Sequence, residues 1–214
     1  MLILDELAEF PRAVLDQLRQ PLEQGAVQIS RSQQSTVFPA LVTLVAATNP
    51  YPCDWDGDCD HGCRCSISQR YWQRLSGPLL DRLDLQLRLE RRSAKEMAEM
   101  LNKGAPQSVS GDWCSPARIQ QARQRMQKRN PAGANNGRLS ATALRQSGAI
   151  ESAAFELWEQ LIHQRGLSTR SSLQLLRVAR TIADLNDRTS VDQNAVAEAS
   201  CFRCTDLLKQ PEAQ

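Results

Sequence analysis

Apolar positions recur along this chain in two rhythms, and the change between them falls near Arg91. Before it, short apolar runs alternate with polar turns. Leu2-Ile3-Leu4 is brief and partly β-branched and ends in Asp5-Glu6, which predicts a buried strand delivering two carboxylates at its C-terminal end. Pro11 suits a first helical turn, Val14, Leu15, Leu18 and Leu22 follow at helical spacing, and Gly25 is the stop. Val27 and Ile29, then Thr36-Val37-Phe38, flank a polar tip over 31–35 and predict a β-hairpin. Leu41 to Ala47 predicts a second buried strand, ending at Asn49-Pro50. A helix over 68–75 and a turn at Ser76-Gly77-Pro78 are expected next. Leu83, Leu85, Leu87 and Leu89 alternate with Asp84, Gln86 and Arg88, the period of a half-buried strand.

After Arg91 the rhythm is helical. Ser115-Pro116 reads as an N-cap and first helical position, and helices are predicted over 116–129, 140–147 and 151–165. Ser168 caps a further one to about Asn186, and Ser190-Val-Asp-Gln opens the last, reaching about Leu208. The expected organisation is therefore α/β plus all-α: an α/β segment at 1–92, a linker at 93–112, a helical domain at 113–208 and a tail at 209–214.

With 214 residues, 41% of them hydrophobic, the chain can bury a sizeable core, and the composition excludes collagen-like and strongly disordered classes. No apolar run approaches the roughly 18–20 residues that cross a bilayer, and no secretory signal opens the sequence, so a cytoplasmic protein is expected. The net charge of +2 says little, but its distribution says more. No acid lies between Trp113 and Ile150, where Arg118, Arg123, Arg125, Lys128, Arg129, Arg138 and Arg145 fall. Such a run can track phosphates, or it can be a helix face offset by acids elsewhere in the fold. Cys53, Cys59, Cys63 and Cys65 crowd together, and four thiolates can complete a tetrahedral Zn²⁺ site or remain reduced in a soluble acidic loop. Asp54-x-Asp56-Gly57-Asp58 evokes a calcium loop but lacks the bidentate Glu that should follow.

A hydrophobic strand ending in Asp-Glu is what a phosphate-handling site needs for its metal. Asp5 can hold Mg²⁺ through water, while Glu6 polarises the attacking water and Asn49 orients it. Arg82, at the mouth of the Leu83–Leu89 run, can stabilise charge on a transferring phosphoryl, in cis or across a subunit boundary. Arg170 falls in the first turn of a predicted helix.

Leu4-Asp-Glu-Leu7, Arg19-Gln-Pro-Leu-Glu23, Leu44-Val-Ala-Ala-Thr-Asn-Pro50, Leu75-Ser-Gly-Pro-Leu-Leu-Asp-Arg-Leu-Asp84 and Leu176-Arg-Val-Ala-Arg-Thr-Ile-Ala-Asp-Leu185 carry the sequence into a known group. It resembles the magnesium-chelatase-like AAA+ ATPases of the YifB/ComM type from Met1 to about Cys204. The resemblance implies part of a P-loop NTPase sheet domain followed by a helical lid. Asp5 and Glu6 would be the Walker B pair, Asn49 sensor 1, Arg82 the arginine finger and Arg170 sensor 2. The hairpin tip at Arg31, Ser32, Gln33 and Gln34 would point at a ring pore and touch DNA. ComM-type members are taken as hexameric, ATP- and Mg²⁺-dependent motors that migrate DNA branches during natural transformation.

Two departures bear on function. The P-loop needs Gly amides and a Lys to cradle phosphates, and this sequence has Lys only at 95, 103, 128 and 209, none preceded by Gly. By the resemblance that loop lies upstream of Walker B, so the chain is expected to be the carboxy-terminal part of a longer protein: a split gene, a mis-called start or a pseudogene product. The family's sheet would lose a central strand with it, so the helical segment is expected to fold by itself better than the α/β segment. In the cysteine loop, the first Cys of the family's Cys-Pro-Cys pair is Tyr51, and Cys59 is an additional thiol. Three functions remain open: a motor completed by a separate P-loop-bearing polypeptide, a non-enzymatic remnant that at most joins a ring as a binding module, and a chelatase motor subunit, which the cysteine loop disfavours.

Overall fold

Leu2–Leu4 forms strand β1 in the computed structural model, which describes residues 1–31, 34–49, 74–89, 93–103, 115–147 and 149–204. These divide into two units, Met1–Leu83 and Asp84–Cys204.

In the first unit β1 runs parallel to β4 (Leu44–Ala46), in register Leu2 with Leu44 through Leu4 with Ala46. Between them come α1 (Arg12–Gln17), α2 (Arg19–Gln24) and the antiparallel strands β2 (Ala26–Arg31) and β3 (Gln34–Pro39). The single helix expected after Pro11 is thus two. Pro21 has no N–H to give Gln17, so the hydrogen-bond ladder is interrupted and the chain re-enters helix at Arg19. Gly25 closes α2 at φ 65°, where a Cβ would collide with the Leu41 side chain. The hairpin pairs Val27 with Phe38 and Ile29 with Thr36 as its alternation predicts, and its ladder extends into the polar tip by pairing Arg31 with Gln34.

One face of the β1–β4 pair meets a core of Leu7, Ala8, Leu15, Leu75, Leu79 and Leu80, against which Leu4 and Ala46 pack. The other face is open, with Ile3 64% and Val45 48% exposed, so the expectation of two buried strands is corrected. Among the described residues the sheet has only these two strands, and two strands cannot cover both their faces. The turn expected at 76–78 is instead the start of a short helix, α3 (Gly77–Leu80), with Pro78 in its first turn.

The second unit departs from expectation at its start. Residues 84–89 form no strand, and Leu85, Leu87 and Leu89 are exposed, since no ladder partner lies beside them among the described residues. Gln86 N–H donates to the Phe202 carbonyl at 2.8 Å instead. The stretch expected as a linker opens with helix α4 (Ala94–Lys103), nucleated by a capping box: Ser93 N–H and Oγ both donate to Glu96 Oε2, at 2.7 and 2.9 Å.

The remaining helices lie within a residue or two of their predicted starts: α5 (Pro116–Arg129), α6 (Ala141–Ser147), α7 (Ser152–Arg165), α8 (Thr169–Leu185) and α9 (Gln193–Cys201). Ser115, Ser168 and Asp192 accept from the N–H of Arg118, Ser171 and Ala195 as N-caps. Helix α9 ends at Cys201, short of the predicted Leu208. Leu161, Leu175, Ala179, Ile182, Val191, Val196 and Ala199 form the core of this unit.

A buried ionic cluster sits beside that core. Asp184 and Arg180, one turn apart on α8, have side chains with no solvent exposure and pair at 3.0 Å. Arg129 makes a two-pronged contact with the same carboxylate, its Nη2 lying 2.8 Å from Oδ2. Asn136 Nδ2 donates to Asp184 Oδ2 at 2.8 Å, and its own Oδ1 accepts from Arg129 and Asn130. Burial alone would raise the Asp184 pKa, but the hydrogen bonds from Arg129 and Asn136 and the charges of Arg180 and Arg129 hold it below the ordinary carboxylate range. The folded pKa is depressed, so the stabilisation is present above the unfolded value of about 4 and is lost as pH falls through the folded value. Asp184→Asn leaves Arg180 buried without its counter-charge. Urea unfolding of this variant at neutral pH is expected to show a loss of about 3–5 kcal/mol, and a loss that persists unchanged at pH 2 would contradict the ionic account.

Candidate functional site

Parallel pairing brings the C-terminal ends of β1 and β4 to one edge, and that edge carries Asp5 and Glu6 from one strand and Thr48 and Asn49 from the other. Ala47 N–H donates to the Leu4 carbonyl at 2.9 Å and Leu7 N–H to the Ala47 carbonyl at 2.8 Å, so the two strand ends are laced together beyond the ladder. Ala8 N–H reaches Thr48 Oγ1 at 3.4 Å. Loops beyond the carboxyl ends of parallel strands are where open α/β sheets place their ligands.

Asp5, Glu6 and Asn49 are all exposed at this edge. Asp5 Oδ1 accepts from Glu6 N–H at 3.0 Å, which orients the first carboxylate against the backbone of the second acid. Glu6 has φ 51° and ψ 47°, the left-handed region that a residue with a Cβ rarely adopts. It turns the chain out of β1 into the 3₁₀ turn Leu7–Glu9, whose Leu7 and Ala8 are anchored in the core. Two oxygen-bearing acids fit a hard divalent cation that arrives largely coordinated by phosphates and water. Among the described residues no group of three or more His, Cys, Asp or Glu side chains is gathered to hold a metal by itself.

Arg82 follows α3 and belongs to the first unit. Its side chain is only 11% exposed and its Nη2 lies 2.6 Å from Glu23 Oε2 at the end of α2, while Nη1 donates to the Pro78 carbonyl. Arg82 Nε is buried with no hydrogen-bond partner among the described residues. Arg170 is half-buried in the first turn of α8 and belongs to the second unit. Arg177, two turns further on, has its pKa lowered by burial and by the charge of Arg170, against an opposing pull from Asp84.

Of the hairpin residues, Arg31 and Gln34 are the last pair of the ladder, whereas Ser32 and Gln33 lie outside the described residues. Cys53, Cys59, Cys63 and Cys65 also lie outside them. The basic run on α5 divides between two fates. Arg118 donates to the Leu185 carbonyl and to Asn186, Arg125 pairs with Asp187 and Arg129 with Asp184, so these three tie α5 to the end of α8. Arg123, Lys128, Arg138 and Arg145 are exposed. Acids beyond the run thus offset part of it.

Sequence reasoning missed Thr48 and Glu23 as site neighbours. Both lie inside the strings that carry the family resemblance, Leu44–Pro50 and Arg19–Glu23, which was the available signal.

The family model described as magnesium chelatase, subunit ChlI, matches residues 1–97, and the one described as its C-terminal part matches 115–203. The uncharacterized protein YifB of Escherichia coli is 36% identical over 209 residues, which is 97% of this chain. Competence protein ComM of Haemophilus influenzae is 34% identical over 212 residues, or 98% of the chain. The uncharacterized protein Rv2897c of Mycobacterium tuberculosis is 36% identical over 209 residues, or 96%. In each case the match spans 40% of the relative's own length. No helix among the described residues is long and apolar enough to cross a membrane.

A left-handed Glu costs about 1–2 kcal/mol relative to Gly. Glu6→Gly is therefore expected to stabilise the chain by about 1 kcal/mol in urea unfolding, and a destabilised variant would show that Glu6 carries no such strain.

Proposed function

The chain belongs to the magnesium-chelatase-like family that includes YifB and ComM, and from that premise we propose that it supplies part of an ATP-driven, DNA-handling AAA+ ring. The observation that carries this reading is the parallel β1–β4 pair, which sets Asp5 and Glu6 beside Thr48 and Asn49 on one edge. Asp5 takes the metal-facing role, through water, and Glu6 the role of polarising the attacking water, with Asn49 holding that water in line. Mg²⁺ carried by the nucleotide neutralises charge on the phosphates when bound. Arg82 serves a nucleotide held in a neighbouring subunit, and Arg170 takes the sensor 2 role that the family resemblance implies. The hairpin tip at 31–34 faces DNA, and the printed name of the Haemophilus relative, a competence protein, supports a role in handling transforming DNA.

The phosphate cradle comes from outside these 214 residues, in a longer form of the chain or in a separate polypeptide, since no Gly-Lys pair is present. The same observation favours a second reading, a non-enzymatic module that joins a ring without turning over ATP. Equilibrium binding of a fluorescent ATP analogue separates the two. The purified chain is expected to show no saturable binding, whereas a chimera in which it replaces the matching part of Escherichia coli YifB binds at micromolar concentration. Micromolar affinity in the chain alone would overturn the requirement for an outside cradle, and a chimera that binds no nucleotide would favour the non-enzymatic module.

A further inference from the structure

We propose that Glu23 is a positioning residue that masks Arg82, and that the masked guanidinium is a receptor for a phosphate-class anion. Arg82 is held at two points within its own chain: Nη2 lies 2.6 Å from Glu23 Oε2, and Nη1 donates to the Pro78 carbonyl one turn back. Its side chain is 11% exposed, yet Nε has no hydrogen-bond acceptor among the described residues. A guanidinium presents Nε and its terminal nitrogens as a fork matched to two oxygens of one planar or tetrahedral anion. Here the fork is only partly used.

The masking partner is suited to leave. Glu23 stands in the last turn of α2 and is 45% exposed, so its carboxylate can be rehydrated once an anion takes its place on the buried guanidinium. Arg82 is anchored from below by α3, whose Leu79 and Leu80 are buried in the core of the first unit and whose Ser76 Oγ donates to Asp16 at 3.2 Å. The arginine's base is therefore fixed in the core while its counter-ion stands half-exposed at the end of α2. An anion with two or more charges that offers an oxygen to Nε outbids a single carboxylate that does not. This inference rests on the reading of Arg82 as the group that meets a nucleotide phosphate of a neighbouring subunit, and it adds that the group is held closed until such a phosphate arrives.

Titration of the full 214-residue chain with inorganic tripolyphosphate tests it, read by calorimetry and by the arginine Nε–Hε resonances in NMR. Glu23→Gln is expected to bind tripolyphosphate about three- to tenfold more tightly than wild type, with the Arg82 Nε–Hε resonance moving along the titration. Glu23→Asp, which keeps the charge, is expected to stay near wild type, and Glu23→Gln combined with Arg82→Gln to lose the gain. Unchanged affinity in Glu23→Gln, or a gain that survives the double substitution, overturns the proposal. Should Glu23→Gln fail to fold, the wild-type chain carries the test. Saturating tripolyphosphate should still move the Arg82 resonance, and an unmoved resonance overturns the proposal. Loss of ATP turnover in the YifB chimera with these results intact would remove the motor reading and leave the masked anion site standing.

Discussion

The parallel pairing of two three-residue strands, β1 and β4, is the constraint on which the candidate site depends. Parallel strands point their carboxyl ends the same way, so residues 42 positions apart arrive at one edge without any contact between their side chains being required. The two backbone bonds that lace Leu4, Ala47 and Leu7 then fix the angle at which the chain leaves β1. Glu6 absorbs that change of direction in a left-handed conformation. A glycine would do so with less strain, and an acid at such a position fits chemistry better than it fits folding.

The helical unit rests on a different physics. Its apolar core is ordinary, but a carboxylate with no solvent exposure is satisfied by two arginines and an asparagine drawn from three chain segments. Such a cluster contributes little net stability compared with an apolar replacement, yet removing one member strands the others. It also accounts for part of the long basic run. Arg118, Arg125 and Arg129 are spent on the end of α8, which leaves Arg123, Lys128, Arg138 and Arg145 as the exposed charges of that stretch.

Much of this was legible in the residues. Ser115-Pro116, Ser168 and the Ser190–Gln193 string announce helix starts because their side chains satisfy orphan amides locally, and local chemistry is what a sequence displays. The hairpin followed from its period of two. The same period misled at Leu83–Leu89, because alternation says which side chains share a face and nothing of whether a ladder partner exists. Helix α4 was passed over although Ser93-x-x-Glu96 spells its capping box. The split between α1 and α2 follows from Pro21, whose missing N–H outweighs the continuous apolar stripe. The pairing of Arg82 with Glu23 spans 59 positions, and no local signal encodes it.

Single-turnover ATP hydrolysis by the YifB chimera, with Glu6 intact and as Glu6→Gln, tests the central claim most directly, namely that the β1–β4 edge is a working phosphate-handling site. The account predicts that the substitution leaves ATP binding in place and slows hydrolysis about a hundredfold or more. Equal rates for the two proteins would contradict it.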